Sequence, residues 1–133
     1  MAAVAYPPIE ALLEAHQRLI ERYGGAAGVR NPGGVEAALA RAQQIEAYAE
    51  GEITVFVLAA AIGFGFARIH HPFVDGNKRV AFYACFATLW MNGWRLDVAE
   101  SEAAEMVERV AQGQVAEDAF ARWLQGNSLR PEA

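Results

Sequence analysis

The chain has 133 residues, 54% of them hydrophobic with three Trp and seven Phe, which is enough for one ordinary domain with a real core and excludes a disordered chain. A formal net charge of -5 argues against direct DNA or RNA binding, because that binding displaces counterions from a broad basic surface. Cys85 is the only cysteine, so an internal disulfide framework and a cysteine-based zinc site are both excluded, and the cytoplasm is the default compartment.

The opening stretch "MAAVAYPPIEALLEAH" lacks a basic start, is interrupted by Pro7 and Pro8 and turns acidic at Glu10, so it does not read as a signal peptide. Ile9 to Tyr23 places Ile9, Leu12, Leu13, Leu19 and Ile20 at helical spacing, with His16 as a partly apolar member, and Gly24 and Gly25 stop that helix. After the loop ending in "NPGG", Val35 to Gln44 reads as an Ala-rich amphipathic helix; Gln43 to Glu52 loses the pattern and is expected as a surface connection.

Ile53 to Ile69 and Val80 to Met91 are apolar on every face and are expected as a central buried helical hairpin in an all-α bundle. The most apolar run, Ile53 to Ala67, is 15 residues, short of the roughly 18 to 20 needed to span a bilayer, so no membrane association is expected. Asn92 and Gly93 give a C-terminal stop. Ser101 is a plausible N-cap for a helix over Glu102 to Ala111, and Ala116 to Leu124 forms another; the polar tail from Gln125 is expected to fray.

The link between the two apolar segments, "IHHPFVDGNKRVAF", carries the chemistry. A helix starting near Asp75 or Gly76 has Lys78 and Arg79 in its first turn, where the partly positive backbone makes cations unfavourable by a few tenths to about one kcal/mol. A bound phosphate reverses that field. The N–H groups from Gly76 onward then point at it, Asp75 is placed to hold Mg²⁺ against its oxygens, and His71 has a pKa suited to taking a proton from a hydroxyl. Pro72 disfavours helical geometry at His71, which fixes a bend there, and Phe73 is expected to plug the core below. Each residue has a duller reading: Asp75 as a helix cap, Lys78 and Arg79 reaching to solvent, His71 as a hydrogen-bonded loop residue, His70 as a donor to a carbonyl, Cys85 as packing. The coincidence of so many within the nine residues from His71 to Arg79 is what favours a ligand site.

"HPFVDGNKR", His71 to Arg79, resembles the signature of the Fic/Doc superfamily on its death-on-curing toxin branch, and Leu19 to Gln44 is similar to the segment that precedes the motif there. Adenylyl-transferring Fic enzymes usually have Gly at the position of Lys78 and a second Arg at that of Phe82. The resemblance implies a single compact helical Fic/Doc domain over residues 1–133 and transfer of the γ-phosphate of ATP to a threonine of elongation factor Tu, arresting translation. It implies His71 as the base, Asp75 as the Mg²⁺ ligand, and Gly76, Asn77, Lys78 and Arg79 as the nucleotide-phosphate site. It also implies a Phd-like antitoxin whose C-terminal segment folds into a groove on the toxin. AMP transfer to a protein hydroxyl and a non-catalytic anion-binding or partner-binding module are the alternatives. His70 departs from the Asn common in related chains. "SEAAEM", Ser101 to Met106, matches only the first five positions of a Fic inhibitory motif, so regulation in trans is expected over self-inhibition.

Overall fold

In a computed structural model, which describes residues 3–131, the apolar spacing after Pro8 becomes α1, Ile9–Tyr23, with Leu12, Ala15 and His16 turned inward and Gly24 at its C-terminal end. The second helix, α2, spans Gly33–Ala47 and so runs past Gln44 into the stretch expected as a connection. A long-range contact explains the extension: the Glu46 carboxylate accepts from the Val4 N–H at 2.9 Å and from the Tyr6 hydroxyl at 2.7 Å, tying the last turn of α2 to the N-terminal segment.

Thr54 caps α3, Val55–Phe64, its hydroxyl accepting from the Val57 N–H at 3.2 Å. The expected helix over Ile53 to Ile69 does not continue as one α-helix. From Gly65 to His70 the chain widens into a π-helical turn. Such turns place side chains out of α register and recur at functional sites. Gly65 lies against α2 so closely that an added Cβ would come 3.0 Å from that of Ala38.

After the motif loop, α4 spans Asn77–Met91 and stops at Asn92 and Gly93 as the sequence indicates. The Asn92 side chain donates to the Ala5 carbonyl and accepts from its N–H, at 2.8 and 3.0 Å. Next come β1, Arg95–Leu96, α5, Glu100–Ala111, α6, Glu117–Gly126, and β2, Ser128–Leu129. Ser101 is not the N-cap expected of it: α5 begins at Glu100, Ala99 holds the cap position, and Ser101 lies in the first turn. Nor does the tail fray from Gln125 as far as Leu129, because β2 pairs antiparallel with β1; residues 132–133 lie outside the described residues. The architecture is all-α with this one small sheet among the described residues, and no helix in them is long and apolar enough to cross a membrane.

The core forms around α3, which packs against α2, α4 and α6 and is buried from Leu58 to Gly63. Burial of α4 is one-sided, against expectation. Val80, Ala81, Ala84, Cys85 and Leu89 are buried, whereas Tyr83, Trp90 and Met91 are exposed. The Cys85 thiol donates to the Ala59 carbonyl at 3.3 Å, and burial pushes its pKa up to about 12, so it packs and does not attack. A Cβ added at Gly63 would overlap Cys85 Sγ and lie 3.1 Å from the Phe120 ring. Gly63→Ala is therefore expected to destabilise by about 1–3 kcal/mol despite the better helix propensity of alanine. In urea unfolding the loss should shrink when Cys85→Ala is present as well; an undiminished loss would place the clash elsewhere.

Candidate active site

The π-helical turn delivers the chain to His71 in the left-handed region, φ 41 and ψ 58, the only non-glycine residue there among those described. A strained residue needs support, and the α1–α2 loop provides it. The Pro72 carbonyl accepts from the Arg30 and Asn31 N–H groups at 2.8 and 2.9 Å, the Val74 N–H donates to the Gly28 carbonyl at 3.0 Å, and Arg30 Nη2 donates to the His71 carbonyl at 3.3 Å. The bend expected from Pro72 is thus held by Gly28, Arg30 and Asn31 of that loop.

Phe73 is fully buried, as expected, and stacks face to face on His16 with ring centroids 3.7 Å apart. His16 Nε2 lies 2.8 Å from the Asp75 carbonyl, an acceptor, so that nitrogen carries the proton. Asn77 closes the loop from the other end: its Oδ1 accepts from the Phe73 N–H at 3.0 Å and its Nδ2 donates to the Phe73 carbonyl at 2.9 Å. Its amide is therefore committed to loop shape, and what Asn77 offers a ligand is its backbone N–H.

Asp75 does not cap α4. Its Oδ1 accepts from the adjacent Gly76 N–H at 3.0 Å and its Oδ2 from the Ala26 N–H at 3.3 Å, which turns the carboxylate toward the glycine turn after α1. Gly25, at φ 114, is required there, since an added Cβ would fall 2.8 Å from Asp75 Oδ2. Gly76 occupies the N-cap position at φ 83 with no side-chain cap, and the first bond of the helix runs from the Val80 N–H to the Gly76 carbonyl. The N–H groups of Asn77, Lys78 and Arg79 find no acceptor among the described residues.

The two cations of this turn are answered differently. Lys78 Nζ pairs with Glu108 Oε2 of α5 at 2.5 Å, both side chains about half exposed. The Arg79 guanidinium lies 4.6 Å from the centre of the Tyr23 ring and has no carboxylate within ion-pair distance among the described residues. Stacking leaves the edge donors of a guanidinium free for an anion.

His71, Asp75, Gly76, Asn77, Lys78 and Arg79 all line one cavity of about 890 Å³. The rest of its wall is largely apolar, with Phe82, Tyr83 and Phe86 of α4, Ala103, Ala104 and Val107 of α5, and Leu19 and Tyr23 of α1. His70 does not line it. The His70 Nε2 is buried without a partner, and burial, followed by the charges of Arg41 and His71, lowers the pKa of the ring, which stays neutral at neutral pH. Sequence reasoning missed the roles of His16, Tyr23 and Glu108. The inward spacing of His16 and the position of Tyr23 just before Gly24 were available signals; Glu108 had none.

The sequence signature described as the Fic/DOC family matches residues 6–89. The chain belongs to the Fic/Doc family. It is 36% identical over 117 residues to the Protein kinase doc of Escherichia phage P1, covering 86% of this chain and 89% of that protein. With the Toxin Doc of Mycolicibacterium smegmatis it shares 34% identity over 106 residues, 78% of this chain and 81% of the relative. No group of three or more His, Cys, Asp or Glu side chains is poised to hold a metal among the described residues. A lone carboxylate beside uncapped helix N–H groups fits the needs of Mg²⁺, which binds through one or two carboxylates and substrate phosphates, and both Asp75 oxygens keep a lone pair beyond the N–H bonds they accept.

Proposed function

We propose that the chain is the toxin of a toxin–antitoxin pair, working as a single Fic/Doc unit in the cytoplasm and transferring the γ-phosphate of ATP to a threonine hydroxyl of elongation factor Tu, which arrests translation. The toxin and kinase names of its relatives support the general reading. The observation that carries it is the uncapped start of α4: three N–H groups without acceptors in the cavity wall, ringed by His71, Asp75, Lys78 and Arg79. That is an anion site with a base at its edge.

In this reading the α4 N–H groups and Arg79 hold the phosphate charge that spreads over the equatorial oxygens in the transition state, and Lys78 adds a donor once it leaves Glu108. Asp75 would hold Mg²⁺, which when bound would neutralise part of the phosphate charge. The His71 imidazole takes the threonine hydroxyl proton. Gly76 keeps the backbone accessible, and Asn77 keeps the loop in shape. Phe82 puts an apolar ring where a second phosphate-binding cation would be needed to seat the α-phosphate, which supports γ- over α-transfer. The apolar part of the cavity wall, where the exposed Trp90 stacks on the lining Phe86, suits the C-terminal segment of a Phd-like antitoxin.

Incubation with Mg²⁺, elongation factor Tu and ATP labelled at either the α- or the γ-phosphorus tests the reading. Label from the γ position should appear on a threonine of the factor. Label from the α position would replace phosphoryl by adenylyl transfer, and label from neither would leave a non-catalytic anion-binding module.

A further inference from the structure

We propose that Glu108 sets the affinity of the nucleotide site by occupying Lys78 until a polyphosphate displaces it. This rests on the nucleotide reading above and concerns a residue of α5, outside the motif. Three observations carry it. Glu108 Oε2 lies 2.5 Å from Lys78 Nζ, and both residues line the same cavity. The other carboxylate oxygen, Oε1, accepts from Gln112 Nε2 at 3.2 Å, and Gln112 Oε1 in turn accepts from Gln114 Nε2 at 3.0 Å, so a side-chain chain from the end of α5 aims the carboxylate at the lysine. Arg79, one residue on, rests on an aromatic face and has no such competitor.

The consequence is a divided site. Arg79 and the α4 N–H groups are ready for any anion, but Lys78 joins only when the arriving charge outweighs one carboxylate. A monoanion gains little by competing for it; a triphosphate gains much. Because the pair is about half exposed, its contribution is small and salt-sensitive, which makes it a tuning element that a nucleotide overcomes and not a lock.

Calorimetric titration of the full chain with ATP, in the absence of Mg²⁺ and then with it, tests this in the wild type, Glu108→Gln, Lys78→Met and the double variant. Glu108→Gln should bind ATP between roughly twofold and tenfold more tightly at low salt, with the gain fading at high salt. Titration with inorganic phosphate should show the same variant gaining less than it does with ATP, since an anion too weak to displace Glu108 recovers only its own weaker contact with Lys78. In the Lys78→Met background the Glu108→Gln gain should vanish. Unchanged or weaker binding in Glu108→Gln, or a gain that persists without Lys78, overturns the proposal while wild-type binding of ATP keeps the nucleotide reading intact. If no protein in the set binds ATP, both fall. Circular dichroism of each variant confirms that the helices are retained.

Discussion

His71→Ala is expected to abolish most phosphoryl transfer while leaving the protein folded. The imidazole makes no side-chain hydrogen bond among the described residues, and the residue is only partly buried, so little structure depends on it. Loss of a positioned base lowers rates by on the order of 10²- to 10⁴-fold. The backbone at φ 41 is unfavourable for alanine as it is for histidine, so the melting temperature should hardly move. The check is the rate of γ-label transfer beside a thermal melt of the same preparation. An unchanged rate removes His71 from the chemistry, and unchanged growth inhibition in cells would favour the binding-module reading.

Phe73→Ala should have the largest effect on stability. The ring is fully buried, stacked on His16 and a further 6.3 Å from the parallel ring of Phe66. Truncating such a phenylalanine removes about 3–5 kcal/mol, part of it from the cavity left behind. Here the loss falls on the loop that carries the chemistry, because Phe73 is the residue whose backbone Asn77 grips. Denaturant unfolding should show a lower midpoint at unchanged slope, and transfer activity should fall even where the protein remains folded. A stability loss under about 1 kcal/mol would mean that the loop is anchored by the α1–α2 contacts alone.

The two cations in the first turn of α4 do not call for a ligand equally. One is answered within the molecule, since Glu108 already faces Lys78. The ligand reading stands on what remains: N–H groups without acceptors and an arginine without a carboxylate. That distinction was invisible in the chain because Glu108 lies thirty positions from Lys78 and on another helix.

α4 shows the same limit from the apolar side. An all-round apolar segment reads as a helix surrounded by others, and for α3 that is the structure. In α4 the outward aromatics Tyr83 and Phe86 line the cavity instead. Composition cannot tell an apolar face packed against a helix from one left open for a ligand or partner.

By itself the sequence determined the helical class, the position of the buried α3, the break at Pro72 and the residues gathered between His71 and Arg79. All of these follow from local causes: helical spacing, the fixed geometry of proline, the freedom of glycine, and charge set against a helix dipole. The tertiary structure alone decided the π-helical turn before His71, the pairing of the tail with β1, the lean of Asp75 toward Gly25 and Ala26, and the partners of Lys78 and Arg79. Those depend on which distant surfaces meet, α5 against α4 for Lys78, α1 for Arg79 and the α1–α2 loop for Asp75, and side-chain partners chosen across a fold leave no periodic trace along the chain.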